Sequence, residues 1–135
     1  PSAEEFRKGA YVISDYAQGN PEISLFASGS EVSLALDVKE ALKDEINVRV
    51  VNFGCWELFD MQSEEYRFNI IHDPSFKVSI EAGITQGWEK YTGNCALNIG
   101  INRFGESAPG KEVADLFGLN TSSIKQKIIK AYKNK

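Results

Sequence analysis

The stretch from Ile23 to Val38 constrains this chain more than any other. Ile-Ser-Leu-Phe-Ala (residues 23–27) is a short apolar run of the kind seen in strands buried on both faces. Ser28-Gly29-Ser30 then turns the chain, with Gly29 free to take a positive φ. Ser28 to Glu31 has the S-x-x-E spacing of a capping box. From Leu34, the apolar residues Val38, Ala41 and Leu42 fall at i+4, i+7 and i+8, and Val32, Ala35 and Leu36 widen that stripe. A helix so striped is expected to lie on a sheet. A strand entering a helix through a Gly-Ser turn opens an α/β unit, so the expected fold class is α/β.

The remaining segments extend this pattern. Tyr11-Val-Ile13 reads as a short strand, closed by the turn formers Gly19-Asn20-Pro21. Asp44-Glu45 ends the first long helix, and Asn47 to Phe53 is a second buried strand. Trp56, Leu58, Phe59, Met61, Tyr66 and Ile70 suggest one or two short helices before the turn His72-Asp-Pro-Ser75. Phe76, Val78 and Ile80 alternate with Lys77, Ser79 and Glu81, predicting a strand with one wetter face. Trp88 to Tyr91 is a short helical or looped piece, and Leu97, Ile99 and Ile101 alternate as the last strand. Pro109 near a helix start and Gly118 past its end bracket a helix whose inner face is Val113, Leu116 and Phe117. The final helix sets Ile124, Ile128, Ala131 and Tyr132 on one side, with lysines toward its negative end.

Composition narrows the function classes. A chain of 135 residues can build one domain with a core that needs no metal or disulfide. A formal net charge of -4 argues against a nucleic-acid partner, and the C-terminal lysines read as a solvated helix face. Cys55 and Cys95 make no metal-ligand or redox spacing and suit a reducing, cytoplasmic setting. No apolar run approaches a membrane span, and the start does not read as a signal peptide.

Each candidate site has two readings. Ser28-Gly29-Ser30 at a helix start offers backbone N–H groups to a phosphate, or is simply a capped turn; it is neither a Walker loop nor a dinucleotide fingerprint. Glu81 is a functional acid or a partner for nearby backbone N–H groups. Trp88 with Tyr91 is an interface pair or core, Cys55 beside Trp56 is packing, and His72 is expected to be an exposed loop residue.

Taken in order, several short strings resemble the C-terminal domain of transketolases. They are Gly9-Ala-Tyr-Val12, Ala27-Ser-Gly-Ser-Glu-Val32, Arg49-Val-Val51, Phe59-Asp60 with Gln62, and Tyr66-Arg67. The series continues with Glu81-Ala-Gly83, Trp88, Lys90-Tyr91 and Gly93, Phe104-Gly-Glu-Ser-Ala-Pro109, and Phe117-Gly118. Phe53-Gly-Cys-Trp56 departs from the Met-Pro usual there.

The resemblance implies three α/β/α layers around a mixed five-stranded sheet of order 1-3-2-4-5, strand 1 antiparallel. Residues 1–8 are then a lead-in and residues 9–135 the domain. In that order the chain crossings diverge between the strands ending at Ala27 and Glu81, a switch point where open α/β sheets bind ligands. Ser28, Gly29, Ser30 and Glu31 would face Glu81 and Gly83 across one crevice, a candidate anion-binding or regulatory site.

The resemblance also implies an enzyme that moves a two-carbon ketol unit between sugar phosphates in the non-oxidative pentose phosphate pathway. It uses thiamine diphosphate and a divalent metal (Mg), acts as a homodimer, and keeps its catalytic groups in two earlier domains. With one His and no Gly-Asp-Gly motif here, no catalytic, cofactor-binding or metal residue carries over. The segment is expected to be inactive alone, with the enzyme's other domains as its partners. Two roles stay open, structural support of the dimer and regulation by a small anion; a freestanding nucleotide-binding module is a further alternative.

Overall fold

Five short runs rich in Val, Ile and Phe pair into one mixed sheet in the computed structural model, which describes residues 3–15, 20–72, 74–81, 87–93, 96–100 and 120–134. The strands are β1 (Ala10–Ser14), β2 (Ile23–Ala27), β3 (Val48–Phe53), β4 (Phe76–Glu81) and β5 (Leu97–Gly100), in the order β1-β3-β2-β4-β5. β1 runs antiparallel to β3, while β2–β3, β2–β4 and β4–β5 are parallel, the arrangement the resemblance implied. Leu25 of the central strand pairs with Val50 on one side and Val78 on the other.

Helices cover both faces. Helix α2 (Glu31–Leu42) and the last described helix, α6 (Thr121–Lys133), lie on one face over an aliphatic core. Leu25, Ala35, Val38, Leu42, Val50, Val78, Ile80, Ile124 and Ile128 belong to it. The α2 stripe is rotated from the one centred on Leu34. Val32, Ala35, Val38 and Leu42 are buried, whereas Leu34 and Leu36 are half-buried flanks. The small Ala35 at the centre lets the helix approach the sheet, and the bulkier leucines fit at the sides.

The opposite face is aromatic. Phe26, Phe53, Phe59, Trp88 and Tyr91 cluster there beneath the short helices α3 (Trp56–Asp60), α4 (Glu64–Ile71) and α5 (Glu89–Thr92). Phe53 stands edge-on to Phe26 with ring centroids 5.8 Å apart, and its ring lies 4.7 Å from both Phe59 and Tyr91. Such tilted and edge-on contacts add roughly 0.5–1.5 kcal/mol per pair beyond area burial. Trp88 and Tyr91 are therefore core, not an exposed interface pair. Helix α4 is tied to the sheet edge by the Tyr66 hydroxyl, which donates to the Ala10 carbonyl at 2.6 Å.

Strand β4 lacks the wetter face that its alternation suggested: Lys77 and Ser79 are both buried. The short helices cover that side too, so its polar groups find partners inside. Ser79 Oγ donates to Asn98 Oδ1, Ser24 and Ser75 share a hydroxyl–hydroxyl bond of 2.7 Å, and Lys77 Nζ donates to the Ser75 carbonyl at 2.8 Å. Nor is His72 an exposed loop residue. It ends α4 in the left-handed region at φ 52°, half-buried, and its Nδ1 makes no hydrogen bond among the described residues.

The departure at Phe53-Gly54-Cys55 has its own geometry. The Gly54 and Cys55 N–H groups both donate to the Gly9 carbonyl, at 2.8 and 3.0 Å; proline at either position would lack that donor. The lead-in carries one helical turn, α1 (Ala3–Phe6), with Phe6 exposed. The sequence expectations for Gly19, Gly83, Cys95, Ile101, the Phe104–Pro109 string and the helix before Gly118 lie outside the described residues.

Candidate functional site

At the switch point, β2 and β4 end side by side, with Ala27 paired to Ile80. The crossing from β2 leads to β3 on one side, and β4 continues to β5 on the other, so the chain separates here. Across the gap, Ser28 Oγ donates to Glu81 Oε2 at 3.4 Å. Glu81 is thus bonded to a side-chain hydroxyl. Gly29 takes φ +59°, and a Cβ there would meet nothing within 4 Å, so this glycine serves the turn and not a close approach.

The capping box does not form. Ser30 occupies the cap position in helical geometry without a side-chain cap bond, and its hydroxyl donates to Glu31 Oε1 at 3.1 Å. The first two helical N–H groups close onto the chain itself: Glu31 N–H to the Ser28 carbonyl at 3.2 Å, Val32 N–H to the Gly29 carbonyl at 3.3 Å. The structure therefore brings Ser28, Gly29, Ser30, Glu31 and Glu81 to one end of the sheet, while Gly83 lies outside the described residues. Two carboxylates stand among the turn's dipoles, and the hydroxyl–carboxylate contact fastens one chain crossing to the other.

A second polar cluster was not singled out from the sequence. Asp60, at the end of α3, accepts from Lys90 Nζ at 2.6 Å and from the Tyr91 hydroxyl at 3.1 Å. The Lys90 hydrogen bond, chiefly, holds the Asp60 carboxyl below its ordinary value, with Tyr91 and nearby Arg67 assisting. Burial, then the bond to Asp60, pushes the Tyr91 phenol up. Asp60 and Lys90-Tyr91 both occur in recognisable strings, but nothing in their spacing says that they meet. Beside them lies a cleft of about 480 Å³, bordered by α4, α5 and β4. Among the described residues, no group of three or more His, Cys, Asp or Glu side chains is arranged to hold a metal ion. No helix among them is long and apolar enough to cross a membrane.

The family described as the transketolase-like C-terminal domain matches residues 9–120 of this sequence. The chain belongs to that family.

Transketolases are its relatives along nearly its whole length. It is 42% identical to the transketolase of Aquifex aeolicus over 133 residues, covering 97% of this chain and 19% of that protein. It is 46% identical to the chloroplastic transketolase-1 of Arabidopsis thaliana over 126 residues, 91% of this chain and 17% of the relative. The solved transketolase from Leishmania mexicana superposes with a TM-score of 0.89 at 37% identity, covering 99% of this chain and 19% of that one. The chain thus spans about a fifth of the length of the curated relatives it matches, as the C-terminal domain of a multidomain transferase would.

Proposed function

We propose that this transketolase C-terminal domain supports, and does not itself perform, transfer of a two-carbon ketol unit between sugar phosphates. On this reading residues 1–8 lead in from a preceding domain and residues 9–135 brace a homodimer. Sugar phosphates, thiamine diphosphate and the metal are bound by other parts of the enzyme. We place it in the cytoplasm, a reading supported by Cys55 and Cys95 making no metal-ligand or redox spacing in the sequence.

One observation carries the reading: the polar groups gathered where β2 and β4 end hold chain segments together. Ser28 latches Glu81, Ser30 bonds Glu31, and the N–H groups beginning α2 close onto Ser28 and Gly29. Among the described residues no group of three or more His, Cys, Asp or Glu side chains could hold the metal of a metal–diphosphate group. The single histidine is half-buried at the end of α4.

The test compares the full-length enzyme with two fragments, this chain alone and the enzyme lacking it. Each is assayed for ketol transfer with thiamine diphosphate and Mg supplied, and for mass by sedimentation. The expected result is no turnover by this chain and a weakened dimer without it. Turnover by the isolated chain would overturn the proposal.

The switch-point crevice supports a second, regulatory reading, in which a small anion sits among Ser28–Glu31, Glu81 and Gly83. Its place between diverging crossings favours it; the Glu31 and Glu81 carboxylates weigh against a negatively charged guest. Saturable amide shifts at Ser28–Glu31 on titration with phosphate would support it, and silence at millimolar phosphate would sink it.

A further inference from the structure

His72, in the turn that joins α4 to β4, is the one non-glycine residue among those described with a positive φ. Its carbonyl oxygen accepts twice from Ser75, from the N–H at 2.9 Å and from the hydroxyl at 2.8 Å. A carbonyl has two lone pairs, so both are taken. The Ser75 hydroxyl has one proton, and that proton is committed to the His72 carbonyl. In the buried Ser24–Ser75 contact of 2.7 Å, Ser24 is therefore the donor. A chain of hydrogen bonds thus runs from the central strand β2, through Ser75, to the residue that ends α4.

The imidazole lies beside this chain. Its Nδ1 is shielded from water and makes no hydrogen bond among the described residues. A neutral ring tolerates that by carrying its proton on Nε2, but an imidazolium donates from both nitrogens. The ring's own carbonyl oxygen is close enough to accept from it, and that oxygen is the one Ser75 occupies. The charges around the ring come from Arg49 on β3, Lys77 on β4 and Asp15 beyond β1. Arg49 is paired with Asp15 at 3.0 Å and also donates to the Asn69 carbonyl of α4, and Lys77 has partners of its own. Asp73, next in the chain, lies outside the described residues. The acceptor at hand for the second imidazole proton is thus a carbonyl already in use.

We infer that His72 is a proton-operated latch: on protonation the imidazolium takes its own carbonyl from the Ser75 hydroxyl and frees the turn between α4 and β4. The Ser75 hydroxyl then loses its acceptor, so the buried bond to Ser24 must reverse or break. The release is local. Ser63 still caps α4, Tyr66 still holds the Ala10 carbonyl, and Arg49 still holds that of Asn69. What loosens is the entry to β4 and the last turn of α4, whose Phe68 and Ile71 line the cleft beside Asp60. The closed turn resists the proton below the ordinary 6.5, while the open turn takes it up there. Opening therefore grows as pH falls from 6.5, by up to about tenfold per pH unit, until the closed form is itself protonated. This latch does not depend on the supporting role proposed above.

The test is a pH titration of the 135-residue chain, with the His72 ring nitrogens and the backbone amides followed by NMR and amide exchange corrected for its intrinsic pH dependence. Before it titrates, the ring should carry its proton on Nε2. As pH falls below 6.5, the Ser75 amide should shift and lose protection along the same curve as the ring, while the amides of α2 and α6 keep theirs. Ser75→Ala leaves the carbonyl a free lone pair, so His72 should protonate about three- to tenfold more readily, the scale of one hydrogen bond. Should that variant fail to fold, His72→Asn, which accepts the left-handed backbone, should abolish the acid step at Ser75. A neutral ring protonated at Nδ1, a Ser75 amide indifferent to the ring's titration, an unmoved His72 midpoint in Ser75→Ala, or an acid step surviving in His72→Asn would each overturn the inference.

Discussion

Gly9 is held where no other residue fits. Its φ is +84°, and a Cβ would stand 2.3 Å from the Cys55 carbonyl oxygen and 2.5 Å from the Phe59 nitrogen. Both obstacles are backbone, so relief would require moving the start of α3. Gly9→Ala should therefore cost about 2–4 kcal/mol in urea unfolding, combining backbone strain with a clash. Gly93 has nearly the same φ, +85°, with nothing within 4 Å, so Gly93→Ala meets backbone strain without a clash and should cost about 1–3 kcal/mol, less than Gly9→Ala. Equal costs would show that the clash at Gly9 relaxes away.

His72 adds a pH dependence at the same scale. Burial, then the nearby Arg49 and Lys77 charges, lowers its pKa from the ordinary 6.5. In the unfolded chain the imidazole takes up its proton near 6.5, while the folded chain resists until lower pH. Over that interval the unfolded state binds more protons, so stability rises with pH. The contribution is complete above 6.5 and is withdrawn as pH falls through the folded value. His72→Asn, whose side chain tolerates the left-handed backbone, should flatten the stability profile on the acid side of His72's ordinary pKa of 6.5. An unchanged slope would assign the dependence to other groups.

Among the elements, three helix starts that resemble one another in sequence differ in what their side chains do. Asn120 Oδ1 accepts from the Ser123 N–H at 2.9 Å, and Ser63 Oγ accepts from the Tyr66 N–H at 3.1 Å. Ser30 makes no such bond. Asn120→Ala and Ser63→Ala should each cost about 1 kcal/mol, and Ser30→Ala only a few tenths, when midpoints of chemical unfolding are compared. A loss at Ser30 equal to the others would mean that its hydroxyl caps α2 in solution after all. The strands show a parallel contrast. The period-2 patterns placed β4 and β5 correctly, yet alternation alone could not tell a polar residue facing water from one facing a covering helix. Ser79 of β4 belongs to the second kind: its hydroxyl donates to Asn98 Oδ1, which also accepts from the Thr92 hydroxyl of the covering helix α5.

At the scale of the whole molecule, one sheet separates two cores, and its central strands serve both. Leu25 and Val50 point into the aliphatic layer, while Phe26 and Phe53 point into the aromatic one. Loss of either layer strips one side of the same strands, so the two should unfold together. Phe53→Ala removes the ring that touches Phe26, Phe59, Trp88 and Tyr91, and should cost about 3–5 kcal/mol. Tryptophan fluorescence, which reports the aromatic layer, and circular dichroism, which reports α2 and α6, should give coincident transitions. Separate transitions would show that the layers are independently stable.

The sequence by itself determined the α/β class, the five strands, the short helices after Phe53 and the family, because periodicity and ordered short strings are local properties of a chain. It also located the Ser28–Glu31 turn, whose glycine and polar residues are turn chemistry. Only the tertiary structure decided where the polar side chains go. Ser28 reaches Glu81 across 53 residues of sequence, Asp60 meets Lys90 and Tyr91, and Lys77 is enclosed within a strand that reads as half wet. Those outcomes depend on which helix covers which face of the sheet. That choice is fixed by packing between segments far apart in the chain, and no local pattern of residues carries it.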